Sequence, residues 1–264
     1  MDIVVCVKHV PDTTEAEIAI RDDGRGIKKE GLVFDISEAD NYAIEEALVL
    51  KEEFDGAITV LTVGPEGADE TLRMCLAKGA DTAVRLTDER FEGSDSFATA
   101  RILSEAIKDM DYDLVLTGCQ ADDDGSAQVG ITLAEMLGIP HAALVVSTEA
   151  EEDEDRMTVH RELEGGLHEV LEINLPALLT IQTGINEPRY ASIFGIRKAM
   201  KKKIEVLDLD DLDLAEEAVG EAGSRTSLVK LFIPVVTAQA MILEGSPEEV
   251  SSELVSIFKN EGVI

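Results

Sequence analysis

Ile3–Val7 is an unbroken apolar run, the pattern of a strand buried on both faces of a parallel sheet. Thr13–Lys29 is polar and contains glycine, and reads as a long excursion with hairpin character. Asp40–Phe54 then places Ala43, Ile44, Ala47, Leu48 and Leu50 at helical spacing. Ile58–Val63 is a second strand, ended by Gly64-Pro65. A helix over Ala68–Lys78 runs through Gly79 to a third strand at Thr82–Leu86. Ser94–Met110 follows as a helix with Ser94 as its N-cap. Leu114–Thr117 is the fourth strand, Ser126–Leu137 the helix after it, and Gly138-Ile139-Pro140 turns the chain into a strand at His141–Val146. Strands alternating with helices of this length predict an α/β fold: a parallel sheet with helices on both faces.

After Val146 the pattern changes. Glu149–Asp155 holds six acids in seven residues and reads as a solvated loop. Arg156–Leu163 and Leu167–Leu175 alternate around Glu164-Gly165-Gly166, a β-hairpin insertion. Pro176 precedes another apolar strand, Ala177–Ile181. Beyond Gln182 the chain no longer reads as one compact domain. It carries a basic stretch, an acidic linker at Asp208–Glu217, an apolar segment at Leu228–Val236 and an amphipathic helix near Pro247–Asn260. An isolated strand and helix after a linker have little core of their own, so they are expected to pack on another polypeptide or back across this one. The expected division is a nucleotide-binding domain over 1–206 and a C-terminal arm over 207–264.

Charge changes the picture. Fifty-five acidic residues against 23 basic ones give a net charge of −32. Such a chain repels phosphate backbones, which excludes nucleic acid as a partner class. The acids are spread along the whole chain, as on the hydrated surface of a protein from a salt-loving source, and stability is expected to fall at low ionic strength. Cys6, Cys75 and Cys119 are odd in number and lack CxxC spacing, which argues against disulfides and structural zinc. His9, His141, His160 and His168 show no metal-ligand spacing. No apolar run approaches membrane-helix length, and the start at Met1-Asp2 has no basic leader, so a cytoplasmic location is expected.

Two segments are candidates for chemistry. The first, Thr117–Gly130, follows a buried strand at the carboxyl end of the sheet, where open α/β folds bind ligands. Small side chains at Gly125, Ser126 and Ala127 leave helix N-terminal amides open to an anion. Asp122, Asp123 and Asp124 would repel a phosphate if they faced it, so one is expected to cap the helix and the others to face solvent or ribose hydroxyls. A capped acidic helix start with no ligand is an equally good reading of these residues alone. The second, Asn186–Lys203, packs five of the 23 basic residues into Arg197–Lys203, beside the apolar Ile193-Phe194-Gly195-Ile196. A solvated basic helix would explain the lysines but not those apolar neighbours, which suit an interface centre. With no GxSxG, Walker A or GxGxxG pattern, self-contained catalysis is not supported.

Taken together, the segments VVCVKHVPDT (4–13), YAIEEALVLKE (42–52), TVGPEGADETLRMCLAKGADTAVRL (62–86), DLVLTGCQADDDGSAQVG (113–130) and LPALLTIQTGINEPRYASIFGIRKAMKKKIEV (175–206) resemble the β (smaller) subunit of heterodimeric electron-transfer flavoproteins. The resemblance implies a subunit that holds an adenine nucleotide, either AMP or a second FAD, beside an α subunit whose mobile domain holds the electron-carrying FAD. It implies a nucleotide pocket of Cys6, Ser37, Glu38, Ala39, Asp40 and Val63, closed by the loop Gly118, Gln120, Asp123, Asp124, Gly125, Ser126, Ala127, Gln128 and Val129. It makes Ile193 the anchor of a recognition loop over 186–203, with Tyr190, Phe194, Ile196, Arg197 and Lys198 around it. That loop would dock acyl-CoA or other dehydrogenases, electrons passing on to a membrane quinone oxidoreductase or a ferredoxin-linked acceptor. Glu162 is implied to contact the flavin domain, and the segment beyond Val206 to wrap the α subunit.

Ser37-Glu38-Ala39-Asp40 replaces the family's more usual Asn-Pro-Phe start, and Asp122 its usual isoleucine. The small-sided Gly125–Gly130 stretch is like family members that hold FAD here, and flavin-based bifurcation follows if it does. A nucleotide-binding signalling module of the universal-stress-protein type is the rival reading of residues 1–146. An ATP-dependent ligase or hydrolase is a further one, but the SGGxD-type phosphate loop after the first strand is missing. Neither accounts for residues 175–206.

Overall fold

The computed structural model describes residues 1–14, 18–150, 155–235 and 240–264. In chain order the first strands are β1 (Ile3–Cys6), β2 (His9–Pro11), β3 (Phe34–Ile36), β4 (Ile58–Val63), β5 (Thr82–Leu86) and β6 (Leu114–Gly118). They are followed by β7 (His141–Ala150), β8 (Arg156–Leu163), β9 (Leu167–Asn174), β10 (Ala177–Ile181) and β11 (Glu205–Leu207). The helices are α1 (Glu38–Phe54), α2 (Asp69–Lys78), α3 (Ser96–Ile107), α4 (Val129–Leu137), α5 (Ile193–Ala199), α6 (Gly220–Gly223) and α7 (Pro247–Asn260).

Nine strands form one sheet in the order β11-β5-β4-β1-β6-β10-β7-β8-β9. All pairings from β11 to β7 are parallel, and β8 runs antiparallel to both of its neighbours, β7 and β9. The expected parallel α/β sheet is therefore present, with the hairpin insertion at its edge. The pleat of β1 explains why its whole run is apolar. Ile3 and Val5 join Val7 in a core under α1 and α2, while Val4 and Cys6 point into the opposite core under α3 and α4.

The chain lays β4 and β5 on one side of β1, then crosses to place β6 on the other. That reversal is a topological switch point, and it opens a crevice above the carboxyl ends of β1 and β6.

Several boundaries differ from the sequence pattern for physical reasons. Helix α1 begins at Glu38 rather than Asp40, because its first amide is satisfied from far away: the Glu38 N–H donates to Asp122 Oδ2 at 2.7 Å. Helix α3 begins at Ser96, with Asp95 as its cap, accepting from Phe97 and Ala98 N–H at 3.0 Å each. The expected cap, Ser94, instead accepts the N–H of Gly220. Helix α4 starts at Val129, three residues later than expected, because Ala127 adopts a left-handed backbone at φ 53° that no α-helix contains.

The acidic stretch after Val206 does not leave the body at once. β11 extends the sheet beside β5, and Leu209, Leu212 and Val219 are buried in the α3/α4 core. From Ser224 the chain leaves this core. Residues 228–235 form no strand, and Val229, Phe232, Ile233 and Val235 are exposed. The amphipathic helix lies at Pro247–Asn260 with a Ser246–Glu249 capping box. Of the polar excursion after Pro11, an Ile20–Ile27 bridge is present, and residues 15–17 fall outside the described set. In the expected acidic loop, Glu149 and Ala150 belong to β7 and residues 151–154 fall outside the described set. Among the described residues no helix is long and apolar enough to cross a membrane.

Candidate functional site

Above the switch point lies a cavity of about 610 Å³, well within the range of small-molecule sites. Its floor is the ends of the central strands: Cys6 on β1, Val63 on β4 and Gly118 on β6. One wall is the loop after β6, where Gln120 and Asp124 lead to Ser126, Ala127, Gln128 and Val129. The opposite wall is the loop after β5, including Thr87, Asp88, Ser94, Asp95 and Ser96. Sequence reasoning missed this second wall. Its position at the carboxyl end of β5, with the turn glycine Gly93 at φ 81°, is the signal that marks it. The walls meet where Ser96 Oγ and Ser126 Oγ lie 2.9 Å apart.

Asp40 holds the floor together. Its Oδ2 accepts the N–H of Lys8 and its Oδ1 the N–H of Gly118, both at 2.8 Å, so one carboxylate ties the ends of β1 and β6 across the crevice. Burial pushes Asp40 up to about 7, against the pull of these two donated hydrogen bonds. Gly118 is required here, since a Cβ would stand 2.6 Å from Asp40 Oδ1. Burial, with the charge of Asp40 behind it, raises the Cys6 thiol far above the ordinary range, so it stays protonated and unreactive.

Ser37, Glu38, Ala39, Asp123 and Gly125 do not line the cavity. Ser37 is fully buried, and its Oγ accepts the Asp122 N–H while its own N–H donates to Lys8 O. The three aspartates do not divide between the following helix and solvent as expected. Asp122 caps α1, and Asp123 and Asp124 both pair with Lys8 Nζ, at 2.6 and 2.8 Å. Asp124 also accepts the Ser126 N–H at 2.9 Å. The amides of Val129, Gly130 and Ile131, the first turn of α4, have no helical acceptor. A cradle of this kind fits an adenine nucleotide: apolar strand ends beneath, and hydroxyls with helix-start amides for a phosphate.

The second predicted segment is a separate surface. Its Asn-Glu-Pro-Arg-Tyr motif is an anchor on α1. Asn186 Nδ2 donates to the Tyr42 carbonyl and to Glu46 Oε2. Arg189 pairs with buried Glu45 at 2.8 Å and with exposed Glu52. Ser192 caps α5, and Gly195 lets it sit against α2, since a Cβ there would stand 2.2 Å from the Ala77 carbonyl oxygen. Held this way, Tyr190, Ile193 and Phe194 are 98%, 75% and 78% exposed. Ile196, Arg197 and Lys198 are exposed beside them.

Glu162 lies on the hairpin, where its Oε2 accepts Gln182 Nε2 at 3.0 Å. Gln182 Oε1 in turn accepts the Cys119 thiol. At the other end of the site, Asp95 Oδ2 accepts the N–H groups of Arg225 and Thr226 and the Thr226 hydroxyl, fixing the root of the exposed C-terminal arm. Among the described residues no group of His, Cys, Asp and Glu is placed to hold a metal ion.

The electron transfer flavoprotein domain matches residues 26–212. The electron transfer flavoprotein subunit beta of Methylophilus methylotrophus is 41% identical over 259 residues, covering 97% of each chain. That of Bacillus subtilis is 39% identical over the full length of both chains. The caffeyl-CoA reductase–Etf complex subunit CarD of Acetobacterium woodii is also 39% identical over the full length of both. The matches to these three relatives run through the hairpin and the arm, which a stress-protein-type module would leave unexplained, and that reading is not favoured. The chain belongs to the electron-transfer flavoprotein family, as one of its β subunits.

Proposed function

We propose that this chain pairs with an α subunit carrying an electron-transferring FAD, and that the cavity at the switch point holds an adenine nucleotide. The observation that carries this reading is the cavity of about 610 Å³ between the loops after β5 and β6, floored by Cys6, Val63 and Gly118. Of AMP and a second FAD, the small-sided wall Ser126–Gly130 favours FAD. Bound FAD would supply one- and two-electron chemistry, and AMP would stabilise the fold by mass action. Within this chain the strand ends seat the ring, the first amides of α4 and the Ser126 hydroxyl hold phosphate, and Asp40 keeps the two central strands in register.

The exposed Ile193–Phe194 knob, with Arg197 and Lys198 at its rim, suits docking of an acidic partner such as an acyl-CoA or other dehydrogenase. A quinone oxidoreductase or a ferredoxin-linked acceptor would be the other terminus. Glu162 would face the flavin domain, and the apolar arm from Leu228 to Ile264 would lie on the α subunit. A cytoplasmic location and a salt-loving source complete the proposal, the latter supported by the dispersed charge of −32.

Co-expression with the α subunit in high salt, followed by counting FAD and AMP per heterodimer after acid release, tests the reading. Two FAD and no AMP would support a redox flavin in this chain, and one FAD with one AMP a structural nucleotide. One FAD and no second adenine nucleotide would refute occupancy of the cavity. Ile193→Ala should slow partner reduction without changing flavin content. Lower flavin content with normal partner reduction would sink the docking assignment.

A further inference from the structure

The loop after β6 poses a charge problem. It supplies the amides an anionic ligand needs, yet carries Asp122, Asp123 and Asp124 in succession. The cavity is also acidic elsewhere: Asp40, Asp88, Glu89, Glu92 and Asp95 line it with Asp124, against only Lys8 and Lys29 among the described residues. Most of the other acids near the site have local partners. Asp88 is held by Arg90, Asp95 by backbone amides of α3 and the arm, and Asp122 by the first amide of α1.

Asp123 and Asp124 share one cation. Lys8 Nζ lies 2.6 Å from Asp123 Oδ1 and 2.8 Å from Asp124 Oδ2, on a side chain rooted two residues past Cys6, the end of β1. Its backbone is fixed as well, the N–H on Asp40 and the carbonyl on the Ser37 N–H. The ammonium is thus committed to the loop at the edge of the cavity.

We propose that Lys8 is a specificity-determining residue that acts without touching the nucleotide: by bridging Asp123 and Asp124 and cancelling one of their two charges, it lets an acidic loop accept a phosphate-bearing ligand. The inference rests on the nucleotide reading of the cavity. Without Lys8, the charge of this cluster goes from −1 to −2 on the loop that carries the phosphate-binding amides. Repulsion of one net charge across roughly 10 Å, at the effective dielectric of a protein surface, corresponds to about tenfold in affinity at low salt. Added salt screens it. The ring and ribose of the ligand carry no charge and would not register the change.

The test compares AMP with adenosine on the complete complex with its α subunit, stripped of the cavity nucleotide and kept at the lowest potassium chloride concentration that maintains the fold. Lys8→Met is predicted to weaken AMP about tenfold while leaving adenosine unchanged, with the AMP defect shrinking as salt is added. Lys8→Met combined with Asp123→Asn and Asp124→Asn leaves the cluster uncharged, while the amide oxygens still accept hydrogen bonds. This triple variant is predicted to recover AMP affinity. Equal AMP affinity in wild type and Lys8→Met would overturn the proposal. Equal weakening of AMP and adenosine would overturn it too, by reducing Lys8 to a scaffold for the loop. A triple variant as weak as Lys8→Met would overturn it by placing Lys8 on the phosphate itself. Failure of the wild type to bind either compound would overturn the nucleotide reading, and this proposal with it.

Discussion

Replacing Arg189 by methionine should loosen the surface that carries Ile193 without touching it. Glu45 is almost wholly buried, its side chain 5% exposed, and receives Arg189 Nε, Nη2 and the Arg189 backbone N–H. Breaking a buried ion pair from one side costs about 3–5 kcal/mol, because a charge is left without its partner. Two features lower that figure. Arg189 is 34% exposed, so water reaches the guanidinium, and the backbone N–H to Glu45 survives in the variant. The second pair, to Glu52 at 62% exposure, adds little. The expected loss is about 2 kcal/mol, a fall in Tm of roughly 4–8 °C for a chain of this size. Thermal unfolding in high salt measures it, and Arg189→Met/Glu45→Gln should recover about 1 kcal/mol by removing the stranded charge. A single-variant loss below about 0.5 kcal/mol, or strictly additive losses, would refute the argument that Asn186–Tyr190 is an anchor.

Other outcomes follow from the same structure. Asp95→Ala removes the α3 cap and the acceptor for the arm, and should cost about 1–2 kcal/mol. Amide exchange should rise at Arg225 and Thr226, and unchanged exchange there would contradict the assigned contacts. Asp40 has a folded pKa raised to about 7 against an ordinary 3.8, so the folded chain binds the extra proton between those values. Its contribution to stability is present at low pH and lost as pH rises through about 7. The stability of wild type relative to Asp40→Asn should therefore fall between about pH 4 and 7 and level off above it. A difference flat across that range would show that Asp40 stays ionised throughout. Gly195→Val forces a side chain toward the Ala77 carbonyl and should displace α5 from α2, read as faster proteolysis around residues 190–200. Unaltered proteolysis would contradict that packing.

The parts of the fold legible in sequence are those set by local pattern. β4, β5 and β10 lie where their apolar runs begin and end, since Gly64-Pro65, Gly79 and Pro176 punctuate them. The hairpin was visible because Gly165 and Gly166 both take positive φ, as such turns require. What was hidden depends on contacts between distant residues. The cap on α1 comes from Asp122, 84 positions away, and no local rule reveals it. The pattern places the start of α4 at Ser126 rather than Val129, because Ala127 adopts a left-handed conformation with no glycine to announce it. The Lys8 bridge joins residues more than 100 positions apart, so the acidic triplet reads as hostile to phosphate until the fold brings Lys8 to it. The Asn186–Tyr190 motif lies within the 175–206 segment that carries the family resemblance, but its partners on α1 are set by contacts about 140 positions apart.

The central claim is that the cavity above β1 and β6 holds the adenine nucleotide. The most direct measurement is photolabelling of the heterodimer with an azido-adenine nucleotide, followed by peptide mapping. The account predicts label on peptides of this chain that contain Cys6–Lys8, the loop after β5 or the loop after β6, and loss of label in the presence of excess unmodified AMP. Label confined to the α subunit, or to regions of this chain away from those loops, would contradict it.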